Sequence, residues 1–228
     1  MTRLWLVVLL LPVLLTGCGN RDERIRHGIR AELEGILYDF DSYEPDTTVV
    51  DTLFEPPHVL SGIVELARQM NQPAHDIETY TETYTKARKR AALWNHPYRS
   101  AYAQNEYEEA LARMEECRRR IDMCQAEIVE IMKEMYPLVN SARGDRRKPQ
   151  GWVATQRFRC RTDSGDPALA DYVFVFDRSA RKCELAIPAD EWNRICELLE
   201  RLDGVDESTF MQKLEELDIA GELPPEQF

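Results

Sequence analysis

The pattern of apolar and polar positions changes character three times along the chain. Leu4 to Leu15 is apolar, interrupted by Pro12, and Arg3 is the only charge before Cys18. This run is shorter than the about 20 residues that a bilayer-spanning helix needs. From residue 22 the period becomes helical: "DERIRHGIRAELEGILY" (22–38) puts Ile25, Ile29, Leu33, Ile36 and Leu37 on one face. Residues 39–57 are acidic and carry prolines, and they read as a connector in which only Val49 to Phe54 suggests a short strand. Pro56-Pro57 then opens a helix over about 58–70, with Val59, Leu60, Ile63, Val64, Leu66 and Ala67 buried.

The most regular stretch follows. Ile77, Tyr80, Tyr84, Ala87, Ala91 and Trp94 are spaced 3,4,3,4,3, and Tyr107, Ala110, Met114, Cys117, Ile121, Cys124, Ile128, Ile131 and Met135 continue the alternation after a turn at Pro97. These are a and d positions of a coiled-coil seam. They predict two helices folded as an antiparallel hairpin, about 74–136. The second helix overshoots the first from about Ile121 and needs a further cover: the 58–70 helix, the 22–38 helix or a second protomer. Pro137, Gly144 and the basic "RGDRRKP" end the region.

Beyond it the period drops to two. "WVATQRFRCRT" (152–162), "ADYVFVFD" (170–177) and "KCELAI" (182–187) alternate, and "DSGDPA" and "DRSA" between them are turn sequences. The reading is a three-stranded antiparallel meander. Its greasy face carries Trp152, Ala154, Gln156, Phe158 and Cys160, then Tyr172, Phe174 and Phe176, then Cys183, Leu185 and Ile187. A helix from about Pro188 to Leu202, with Trp192, Ile195, Cys196, Leu199 and Leu202, is the natural cover for it. Gly204 stops that helix, and a last one over about 207–217 carries Phe210, Leu214 and Leu217. The expected fold is therefore α+β and predominantly helical: an antiparallel coiled-coil-like helical hairpin, then a three-stranded antiparallel meander and C-terminal helices. The expected organisation is a helical region over 18–141, a basic linker over 142–151, a small α+β module over 152–218 and a mobile tail over 219–228.

The apolar run at the start has the layout of a secretory signal: a basic residue, a short greasy core, then small residues. Leu15-Thr16-Gly17-Cys18 closely resembles the lipobox of bacterial lipoproteins. The resemblance implies that residues 1–17 are cleaved, that the Cys18 sulfur carries a diacylglyceryl group and that the new amine is acylated. The alternative is a plain secretory signal, or a short buried helix, with a chance cysteine. Gly19 after the cysteine, by the enteric-type sorting rule that goes with the family, points to the outer membrane, with the periplasmic or outward face left open. Loss of residues 1–17 removes one arginine and no acid, so the net charge of −12 becomes −13. An acidic surface excludes a broad nucleic-acid footprint and a broad dock on anionic lipid. Membrane attachment then rests on the Cys18 lipid.

Five further cysteines remain, an odd number: Cys117, Cys124, Cys160, Cys183 and Cys196. Cys117 and Cys124 lie about 10 Å apart along one helix, beyond the roughly 7 Å Cα limit for a bridge. Cys160 and Cys183, on the first and third strands, are similarly far apart. A bridge from Cys183 or Cys160 to Cys196 stays open, but small buried thiols are the preferred reading.

Catalytic motifs occur only as fragments. Ser179-Ala-Arg-Lys182 matches S-x-x-K, but it falls in a hairpin turn and lacks the companion motifs of penicillin-binding enzymes. His27, His58, His75 and His96 are dispersed without metal-ligand spacing. Asp39, Asp41, Glu44, Asp46 and Asp51 supply oxygen ligands without an EF-hand pattern. Arg143-Gly144-Asp145 spells an integrin tripeptide, a match of three letters only. There is no GxSxG, P-loop or Rossmann fingerprint. No catalytic residue, metal site or cofactor is assigned. The candidate anion- or partner-binding feature is Arg157, Arg159 and Arg161, which alternation puts on one outer face of an acidic protein. Its bland alternative is pairing with Glu184 and other local carboxylates.

A lipid-anchored hairpin followed by "RFRC…GDPALADYVFVFD" also resembles, in outline, uncharacterised lipoproteins of Bacteroides-type bacteria, a likeness that brings no activity with it. The expected role is non-catalytic, with a protein partner or a second copy bound through the hairpin. The rival is an envelope hydrolase or carbohydrate-binding lipoprotein whose site is assembled from residues distant in sequence.

Overall fold

The computed structural model describes residues 21–96, 100–142, 148–202 and 204–220. The lipobox, the Arg143-Gly144-Asp145 tripeptide and residues 221–228 lie outside the described residues. The fold is α+β. Helix α1 covers 21–36 and is followed by β1 (Asp39–Leu53), α2 (Pro57–Gln69), α3 (Asn71–Trp94), α4 (Ala101–Ala142), β2 (Gly151–Arg161), β3 (Pro167–Asp177), β4 (Cys183–Pro188), α5 (Ala189–Leu202) and α6 (Glu207–Ala220). The chain divides into two compact units, Met1–Ile63 with Leu138–Leu202, and Val64–Pro137 with Asp203–Phe228. No helix among the described residues is long and apolar enough to cross a membrane.

The first unit is built on an antiparallel sheet in the order β1-β2-β3-β4. Four strands replace the expected three, because the acidic connector is itself a strand: Val50 pairs with Ala154 and Thr48 with Gln156. Its acids and Pro45 sit on a sheet edge, where charge and proline are tolerated because the outer N–H groups have no ladder to join. The sheet thus recruits residues from the 18–141 region expected to be mainly helical, over a longer stretch than the short strand suggested at Val49 to Phe54. The β2–β3 turn closes through Thr162 N–H to the Asp166 carbonyl, with Gly165 at φ +85°.

The expected face assignment also changes. Val175 pairs with Leu185 but Phe176 pairs with Cys183, so one extra residue bulges between them. A bulge flips the side-chain alternation beyond it. Cys183 therefore shares the face of Phe174 and Phe176, while Leu185 and Ile187 stand with Val175 and Val173 on the other. Both faces are buried. Ile25, Ile29 and Leu33 of α1, each 1 % exposed or less, close the core with Ala154, Phe158, Phe174 and Phe176. Helix α1, and not α5, covers the aromatic face. Helix α5 packs against β3 and β4, with Ile195 buried.

The second unit contains the antiparallel hairpin of α3 and α4. Tyr84, Ala87 and Ala91 of α3 form a buried cluster with Ala110, Met114 and Cys117 of α4, flanked by Tyr80 and Tyr107. At the end of the overshooting part of α4 an element not foreseen for that role makes contact: the Tyr136 ring stacks on Phe210 of α6 at 4.4 Å, and its hydroxyl donates to the Val205 carbonyl. Helix α4 does not stop at Pro137 but continues to Ala142. An internal proline costs about 3 kcal/mol, and burial of Val139 and Ala142 past it offsets that loss. Residues 219 and 220, expected in a mobile tail, are the last of α6.

Candidate binding surfaces

Each unit carries one surface with the features of a binding site. In the first, a cleft of about 620 Å³ opens between α1 and the bulged half of β1. The β1–β2 register shifts between Asp39 and Glu44 and again between Pro45 and Thr47. Such irregularities re-aim side chains, and Tyr43 and Asp46 from this stretch line the cleft with Thr48. The opposite wall is α1, where Glu23, Arg26, His27 and Arg30 recur at helical spacing. Gln156 of β2 closes the end and is 2 % exposed. Its amide oxygen accepts from the Thr48 hydroxyl at 2.5 Å, and its amide nitrogen donates to the Arg157 carbonyl at 2.9 Å.

Aromatic packing holds the wall in place. Tyr43 stacks on Phe40 at 5.6 Å and meets Phe158 edge-tilted at 5.4 Å, while the Arg30 guanidinium lies 5.3 Å from the Phe40 ring centre. Burial pushes the Tyr43 phenol up, partly countered by the charge of Arg30, so the hydroxyl keeps its proton at neutral pH.

In the second unit, the hairpin presents a groove of about 550 Å³ over Ala87 and Ala110, edged by Lys86, Arg90, Arg113, Glu109 and Glu116. Nearer the turn, Arg90 pairs with Glu106, which also accepts from the Tyr102 hydroxyl. The hydrogen bond from Arg90 holds the Glu106 carboxyl below its usual value. Tyr102 packs edge-on against Trp94 at 5.7 Å, and Leu93 and Tyr102 are 65 % and 64 % exposed.

Arg157, Arg159 and Arg161 are exposed along β2. Arg157 pairs with Asp171 across the sheet, Nε to Oδ1 at 2.8 Å. Glu184, expected as a partner for the stripe, is bound by Lys182. Ser179 and Lys182 belong to a turn whose centre is Asp177: its carboxylate accepts from the amides of Ser179, Arg181 and Lys182. Cys117, Cys124, Cys160, Cys183 and Cys196 are free thiols, so neither bridge to Cys196 forms. The acidic residues of the connector are spread along β1, and the described residues hold no cluster of three or more metal-ligating side chains. His27 lines the cleft, whereas His58, His75 and His96 are exposed. Cys18 lies outside the described residues.

The cleft brings together residues 23–30, 43–48 and 156, and sequence reading assigned it no role. The available signal was Gln156 itself, an amide in the core-facing register of β2 between Ala154 and Phe158. No protein-family model, curated protein or solved structure matches the chain.

Proposed function

We propose that this chain is a lipid-anchored cell-envelope protein with a non-catalytic binding role, tethered through Cys18 and engaging a protein partner through the α3–α4 hairpin. The supporting observation is the exposed end of that hairpin. Leu93 and Tyr102 are about two-thirds exposed, beside Trp94 and the Arg90–Glu106 pair. Tyrosine, tryptophan and arginine dominate the energetics of protein interfaces, and clustered exposed apolar side chains mark docking sites. The coiled-coil-like packing of the seam is part of the same proposal: it supplies a stiff arm on which the docking residues stand. The lipobox supports the tether and an outer-membrane address.

The test compares the mature chain with a Leu93→Ser/Tyr102→Ser variant as bait in envelope extract. The expected result is a protein captured by the native chain and lost with the variant. Equal capture by both, or turnover of a glycan or peptide by the native chain, overturns the reading. A stable dimer in sedimentation, abolished by the same two substitutions, identifies the partner as a second copy. Mass spectrometry of the native protein checks the tether: residues 1–17 gone and Cys18 acylated.

A second reading, an envelope hydrolase or carbohydrate-binding lipoprotein, draws its support from the α1–β1 cleft, whose walls come from parts of the chain more than 100 residues apart.

A further inference from the structure

Three features of the α1–β1 cleft bear on what it could hold. The first is Gln156. It is the buried polar residue of the described core, on a strand face otherwise built from Ala154, Phe158, Phe174 and Phe176. Burying an amide costs free energy unless its hydrogen bonds are made. A glutamine amide supplies two donors and two acceptor sites, and only one of each is used, by the Arg157 carbonyl and the Thr48 hydroxyl. An alanine or valine would have filled the position without this cost.

The second is the charge around it. Some surface cations of the described structure meet carboxylates, such as Arg90 with Glu106 and Arg157 with Asp171, and others stand in solvent. In the cleft, among the described residues, Arg26 and Arg30 make no ion pair, and neither do Glu23 and Asp46, although all four line the same space.

The third is size. About 620 Å³ lies in the range of small-molecule sites.

Two unpaired cations, two unpaired carboxylates and a half-used amide together complement a ligand that carries both signs of charge and a peptide-like group. We propose that the α1–β1 cleft binds a zwitterionic amino-acid derivative or short peptide. Its carboxylate meets Arg26 and Arg30, its ammonium meets Glu23 or Asp46, and its amide takes the free donor and acceptor of Gln156. Guanidinium forks suit a carboxylate in this role. The Tyr43 and Thr48 side chains also line the cleft, and the Phe40 ring, stacked on Tyr43, lies beneath the Arg30 guanidinium. This site lies in the sheet unit and does not depend on the hairpin reading.

The test uses the folded mature chain with glycylglycine as probe, followed by calorimetry and by the side-chain amide resonances of Gln156 in ¹H–¹⁵N spectra. N-acetyl-glycylglycine, which lacks the ammonium, and glycylglycine amide, which lacks the carboxylate, are the controls. The expected result is saturable binding with movement of the Gln156 resonances, and at least a tenfold loss with either blocked dipeptide. The Arg26→Gln/Arg30→Gln variant changes exposed side chains only, so it should keep its fold by circular dichroism while losing binding at least tenfold. Gln156→Leu tests the amide directly. Absence of glycylglycine binding up to tens of millimolar, equal binding of the blocked dipeptides, or unchanged binding by the arginine variant overturns the proposal. Binding of glucuronate in place of the dipeptide also overturns it, in favour of a carbohydrate site.

Discussion

Gly28 and Phe176 touch where no side chain could stand between them. A Cβ built on Gly28 would lie 2.6 Å from Phe176 Cε1, and the ring is 1 % exposed and cannot retreat. Glycine in a helix interior costs about 1 kcal/mol relative to alanine, and here that cost permits α1 to approach the aromatic face of the sheet. Gly35, one helix but two turns further on, has nothing within 4 Å of its Cβ position. The two glycines therefore predict opposite signs. Gly28→Ala should lower stability, because overpacking costs about 1–3 kcal/mol. Gly35→Ala should raise it by about 0.5–1 kcal/mol. Urea unfolding midpoints of the two variants check both.

Burial pushes the Cys183 thiol up to about 12, with the negative charge of Glu32 adding to the effect and backbone hydrogen bonding at Leu185 and Val175 opposing it. A thiol raised in the folded state stabilises the fold while it stays protonated. That contribution is present below about pH 8.5, the ordinary cysteine value, and is lost as pH rises from there towards 12. Cys183→Ala should flatten the decline in stability over this window, read as the melting temperature at pH 8, 9.5 and 11. In the native protein at pH 8, iodoacetamide should label Cys183 far more slowly than in the unfolded chain, because little of the thiol is ionised.

Asp206 caps α6. Its carboxylate accepts from the Ser208 hydroxyl, the Thr209 amide and the Thr209 hydroxyl, and these bonds hold it down to about 2. A depressed carboxyl stabilises above its unfolded value, about 3.9, and the contribution disappears as pH falls from about 4 to about 2. Asp206→Ala should therefore weaken α6 at pH 7 and make no difference near pH 2. Amide hydrogen exchange at Phe210, whose N–H bonds to the Asp206 carbonyl, reports it. Asp177 is also lowered: burial pushes it up, but the amides of Lys182, Arg181 and Ser179 and the Ser179 hydroxyl outweigh that. The comparison of variant with native protein separates the two acids.

Ala91, 2 % exposed, lies in the seam between α3 and α4. Ala91→Leu adds three carbon atoms where the helices are close. The expected cost is about 1–3 kcal/mol. Leu93→Ala, on the solvent side of the same helix, should stay within about 0.5 kcal/mol. Thermal unfolding distinguishes them.

The hairpin was legible because its signal is repetitive: a 3,4 spacing kept over dozens of residues admits one reading, and Tyr84, Ala87, Ala91, Ala110, Met114 and Cys117 bury as that spacing demands. The strands β2 to β4 were legible from alternation and turn residues. Strand β1 was not, because its acids and Pro45 describe what a sheet edge tolerates and equally what a loop contains. The β-branched run Thr47-Thr48-Val49-Val50 was the one sign of extended backbone, and it was read too narrowly. The faces of β4 were misread because a single bulged residue, invisible in a period-two pattern, moves Cys183 to the other side from Leu185 and Ile187. The cleft was illegible for a different reason: Thr48 and Gln156 meet across 108 residues of sequence, and no local rule connects them.

Helix α1 has one more consequence. Its core residues begin at Ile25 and the helix is already formed at residue 21, only three residues past Cys18. Three steps of extended chain reach at most ~11 Å. In the anchored form proposed above, so short a leash would keep the sheet unit beside the headgroups, and a ligand of its cleft would have to reach the lipid surface to be bound.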